Sequence, residues 1–148
     1  METGEFLLLP GKGVFLPRGG GLLGFGATRE SARRRLSWFG PVSTPFVCGV
    51  GWCWHVRIAD RTVTTWPGAD DLLGVIIVSR SGHYAWGEHA GIPALYQGID
   101  VFAVSMAGLD EAVAQPDDGS VSFYWPWQPR PAYVTDVTLV DVGRNPRR

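Results

Sequence analysis

The chain has little lysine, few cysteines and almost no net charge. One lysine stands against twelve arginines, two cysteines occur in 148 residues, and thirteen basic residues nearly balance fourteen acidic ones, for a formal charge of −1. Near-neutrality gives no electrostatic ground for non-specific binding to nucleic acid. Two cysteines are too few for a disulfide-built secreted scaffold. No apolar run approaches the roughly 18 residues of a membrane span. The early apolar stretch Phe6 to Leu9 stops at Pro10-Gly11, and Glu2 and Glu5 stand where a secretory leader would carry bases, so the expected compartment is the cytoplasm. A bridge between Cys48 and Cys53 would be the exception, if the chain were exported. The scarcity of lysine reads as the codon composition of a GC-rich genome, although planar arginines also suit phosphate.

What is present suits a folded domain: 45% hydrophobic, 12% aromatic and 18% charged residues exclude a disordered chain, a coiled coil and a collagenous one. Residues 4–9 read as a short strand, and the glycines of 10–26 exclude a helix there. A helix follows, with Thr28 as N-cap, Glu30 in its first turn, Ala32, Leu36 and Phe39 on one face and Gly40-Pro41 as its stop. Trp52–Ala59 alternates, with Trp52, Trp54, Val56 and Ile58 on one face. Asp60-Arg61 reads as a tight turn, Arg61–Trp66 as the returning strand and Leu73–Ser79 as a central strand. Residues 80–97 read as irregular. A second helix starts at Ser105, with Leu109, Ala112 and Val113 on its apolar face; Ser120–Trp125 and Tyr133–Val142 read as strands, and 143–148 as a disordered basic tail.

The two helix starts align. Gly21 to Thr28 matches Gly98 to Ser105 at an offset of 77 residues, sharing a glycine, an apolar residue, a phenylalanine three further on and a hydroxyl N-cap three after that. The expectation is one α+β domain over 1–142: an antiparallel sheet with two short helices on one face, built from pseudo-repeats at about 11–80 and 88–142. The stretch from Leu9-Pro10-Gly11-Lys12-Gly13-Val14 to Gly24-Phe25-Gly26-Ala27-Thr28-Arg29-Glu30 is similar to the opening of many small bacterial proteins of unassigned role. Its helix start resembles the repeat of the BamE-like family, which includes the tandem-repeat β-lactamase inhibitory proteins. That resemblance covers the helix starts and the repeat period only. It implies two helix-on-sheet units and binding of a partner through an aromatic-rich sheet face. The chain departs from the pattern in having no lipoprotein cysteine at its start and Ala27 where the family has methionine, and no inhibitory residue carries over.

Several residue sets could carry chemistry. Cys53 and His55 share a strand face, with Asp60 near, as a nucleophile set would need; a mid-strand cysteine is more often a small buried hydrophobe. His83, Glu88 and His89 would supply three zinc ligands, but their spacing fits neither a helical pair nor a knuckle, and exposed loop histidines are commoner. The glycines of 19–26 precede a helix but lack the Lys-Ser/Thr of a phosphate loop. No metal or cofactor is therefore expected, and no enzyme is favoured.

Seven tryptophans in 148 residues exceed what a core of this size requires. Indoles and phenols recur as interface anchors because they give large contact area at low entropy cost. Trp52, Trp54, Tyr84, Trp86, Tyr124, Trp125 and Trp127 are the expected binding residues. The reading is a non-catalytic protein of the immunity or inhibitor type that recognises a protein partner. The alternatives are a small cysteine- or histidine-dependent hydrolase or transferase, and a carbohydrate-binding module. Nucleic acid ranks below protein and glycan for want of a basic stripe.

Overall fold

A computed structural model describes residues 4–44, 51–80, 91–113, 118–125 and 132–143. The strands expected from alternation are present and divide between two five-stranded sheets. The first holds β1 (Phe6–Leu9), β2 (Gly13–Leu16), β3 (Gly21–Gly24), β7 (Ala94–Tyr96) and β8 (Ile99–Asp100), in the order β3-β2-β1-β7-β8. The second holds β4 (Trp54–Ile58), β5 (Arg61–Pro67), β6 (Leu73–Arg80), β9 (Val121–Tyr124) and β10 (Asp136–Val140), in the order β4-β5-β6-β10-β9. Two helices, α1 (Arg29–Leu36) and α2 (Met106–Ala112), complete an α+β architecture. All pairings are antiparallel except β1 with β7.

The glycine-rich stretch, unsuited to a helix, makes the β2–β3 hairpin. Gly13 has φ +135, and a Cβ there would overlap the Leu23 carbonyl across the pair, so no side chain fits. The turn between β4 and β5 falls one residue earlier than the sequence suggests. Ala59 takes the left-handed conformation (φ 55), while Arg61 already pairs with Ile58.

Each helix is reached from an edge strand of the first sheet, and each start is tied to the second. Leaving β3, the Gly26 N–H donates to Leu73 of β6 and the Leu73 N–H donates to Ala27; leaving β8, the Met106 N–H donates to Ala132, in the segment that leads into β10. Thr28 and Ser105 then cap their helices through their hydroxyls, accepting from the Ser31 and Gly108 N–H groups. The inner faces of both sheets and both helices share one core, including Phe6, Leu8, Val14, Leu23, Val56, Val63, Ile76, Val78, Leu109, Val137 and Leu139.

Two arginines lie inside that core. Arg61 and Arg80 are cross-strand neighbours on the inner face of β5 and β6 and flank Phe102, their guanidinium carbons 4.6 and 5.7 Å from its ring centre. Burial is the main force pulling both pKa values down. Asp60 and Asp100 oppose it at Arg61, and Asp100 opposes it at Arg80, where the neighbouring Arg61 charge adds to the fall. Arg61 Nε donates to the Ile92 carbonyl at 2.9 Å, and Arg80 Nη2 to that of Phe102. Charges so placed hold only because carbonyls, carboxylates and a ring face replace water.

The two outer faces differ. On the second sheet His55, Arg57, Thr62, Thr64, Ser79, Ser122, Asp136 and Thr138 share the outward parity with Trp66, Val75, Ile77, Tyr124 and Val140, a mixed face. On the first, Leu22, Phe15, Leu7 and Leu95 form one apolar cross-strand row. Among the described residues no helix is long and apolar enough to cross a membrane.

Candidate functional site

The site is built around α1. Ala32 and Leu36 are fully buried, which fixes the roll of the helix and turns Arg29, Arg33, Arg34 and Arg35 outwards. Arg33 to Arg35 lie in the last turn, where the helix dipole favours cations. None of the four arginines makes an ion pair among the described residues.

On one flank Arg29 and Arg33, one turn apart, approach Trp54, with guanidinium carbons 5.8 and 5.7 Å from the ring centre. That is cation–π range. The Trp54 indole N–H donates to the Arg29 carbonyl at 2.9 Å. Trp52 lies beside Trp54, ring centres 6.1 Å apart and planes tilted by 32°, and its N–H donates to the Asp71 carbonyl at 3.1 Å. Arg29, Thr44, Gly51, Trp52, Cys53, Trp54 and Asp71 line an open cleft of about 470 Å³.

On the other flank stands Trp38, 64% exposed, whose N–H donates to the Arg18 carbonyl at 3.0 Å. Arg35 Nη1 donates to the Gly20 carbonyl at 2.7 Å, and Gly19, Gly20, Ser31, Arg34, Arg35 and Trp38 border a pocket of about 220 Å³. Trp38 is the residue that sequence reasoning missed. Its signal was available: it falls four residues after Arg34, opposite the Ala32–Leu36 stripe.

The other expected binding residues are placed elsewhere or not described. Tyr124, 60% exposed, ends β9, and Trp125, 43% exposed, follows it. β9 and β4 are opposite edges of the sheet. Four strand spacings, about 19 Å, separate them, so Tyr124 and Trp125 form no continuous surface with Trp52 and Trp54. Trp54 also shares the inner-face parity of Val56 and Ile58 and sits beside α1, not on the open sheet face. Tyr84, Trp86 and Trp127 lie outside the described residues, as do Cys48, His83, Glu88, His89 and the tail beyond Gly143.

The nucleophile set is not assembled. Cys53 is a free, buried thiol that accepts the Trp66 indole N–H at 2.8 Å. Burial pushes its pKa up, and the Trp66 hydrogen bond only partly opposes this. A thiol so held is neutral near pH 7 and a poor nucleophile. The His55 ring is within 3.3 Å of the Thr64 hydroxyl, and Asp60 sits beyond the far end of β4, beside Arg61. Among the described residues no three ligating side chains cluster as a metal site would require. The chain matches no protein-family model, no curated protein and no solved structure.

Proposed function

We propose that this chain is a non-catalytic binding protein that recognises a protein partner through the tryptophan and arginine surface around α1. The immunity or inhibitor class, implied by the resemblance of the helix starts, belongs to the same proposal. One observation carries the reading. The indole N–H groups of Trp38, Trp52 and Trp54 each donate to a backbone carbonyl of a different segment, at Arg18, Asp71 and Arg29. Bonds of this kind hold a ring in one orientation before anything docks. A partner then meets large contact area without the entropy cost of ordering side chains. The sealed thiol of Cys53 lends nothing to the hydrolase alternative.

The test is affinity capture from the cells that make the protein, comparing the wild-type chain with a Trp38→Ala/Trp52→Ala variant shown by circular dichroism and thermal melting to be folded. The reading expects a protein held by the wild type and lost by the variant. Equal retention by the two contradicts it.

A further inference from the structure

We infer that the partner presents an acidic protein segment to α1, with carboxylates in successive turns or strand positions and a hydrogen-bond donor opposite Asp71. This rests on the binding role proposed above and names the chemistry of the partner.

The argument is charge complementarity within a bounded patch. Between Thr28 and Trp38 the chain carries four arginines against one glutamate, in a molecule whose formal charge is −1. All four arginines are exposed and make no ion pair among the described residues. Trp54 marks the first turn of the helix by its bond to Arg29, and Trp38 follows its last turn. The nine residue steps from Arg29 to Trp38 span about 14 Å at helical rise. Arginines between two oriented indoles form a cationic strip with an apolar anchor at each end. Planar guanidinium groups pair with carboxylates through two parallel hydrogen bonds.

Phosphate would also suit arginine, but the Trp52–Trp54 cleft is of mixed sign. Arg29 and Asp71 line it together. A nucleic-acid backbone tracking from Trp38 across α1 would run into the Asp71 carboxylate. A protein can set carboxylates against the arginines and a donor against Asp71, so the pattern favours protein.

The experiment uses the full chain and three probes: two helical peptides that differ only in bearing glutamate or glutamine once per turn, and a short oligothymidylate. Binding is read by fluorescence anisotropy of the labelled probes. The wild type should bind the glutamate peptide about tenfold more tightly than the glutamine peptide, as expected for a few exposed ion pairs. Raising salt should shrink that ratio. Arg33→Glu/Arg34→Glu should abolish or invert the preference, whereas Arg57→Glu, on the outward face of β4 away from α1, should leave it intact. Equal affinity for the two peptides, a preference that survives the double reversal, or tighter binding of the oligothymidylate would each overturn the inference. The capture assay separates the two proposals: retention lost on removing Trp38 and Trp52 but kept on reversing Arg33 and Arg34 leaves the indole surface standing and removes the acidic partner.

Discussion

Cys53 and its tryptophan neighbours show how far alternation alone can carry an assignment. Strand parity correctly groups residues that share a face, but it does not say which face is covered. Trp54 and Cys53 are adjacent and both border the cleft, yet Trp54 is only half-buried whereas Cys53 is 1% exposed. What decides this is α1, whose Arg29 carbonyl takes the Trp54 N–H, and Trp66, which reaches the thiol from β5. Neither contact has a local sequence signal. A prediction follows at this scale. The folded thiol has a raised pKa, so the unfolded chain loses its proton first as pH rises. The thiol's contribution to stability should therefore be constant at neutral pH and fall as pH rises above about 8.5, the ordinary value for cysteine. Chemical denaturation of the wild type and of Cys53→Ala between neutral and alkaline pH checks this: the stability gap should shift in favour of the variant as pH rises. A gap that does not change with pH contradicts it.

At the scale of elements, legibility followed the strength of local signals. Both helices were readable because a hydroxyl N-cap is local chemistry, and Thr28 and Ser105 make the bonds their positions imply. Strands β4, β5, β6, β9 and β10 were readable from apolar and β-branched alternation. Strands β2 and β3 were not, because their glycines lower strand propensity while serving close backbone approach at the Gly13–Gly24 pair. β7 was missed because it is three residues long, lies next to Pro93, and owes its existence to parallel pairing with β1 far away in the chain. Since α1 carries the site, its cap is the element to perturb. Thr28→Ala should cost about 1 kcal/mol of stability, and Thr28→Ser should restore most of it. Urea unfolding of the three proteins measures this. An alanine variant as stable as the wild type would mean that the cap does not hold the helix that orients the arginines.

For the whole molecule, composition pointed correctly to a folded α+β chain, but the division into two sheets rests on non-local pairings that no window of sequence contains. The expected open aromatic sheet face is likewise a property of assembly. The outer face of the second sheet mixes threonine, serine and charge with Trp66, Ile77, Val140 and Tyr124, while Trp52 and Trp54 gather where its first strand meets α1. The proposed recognition surface therefore lies at the helix flanks. That surface must exist before any partner arrives, because indoles that ordered only on contact would forfeit the entropy advantage that motivates the proposal. The most direct test is ¹⁵N relaxation of the indole N–H groups of Trp38, Trp52 and Trp54 in the free protein. Order parameters close to those of rigid backbone, about 0.85, are predicted for all three; values below about 0.6 would contradict the account.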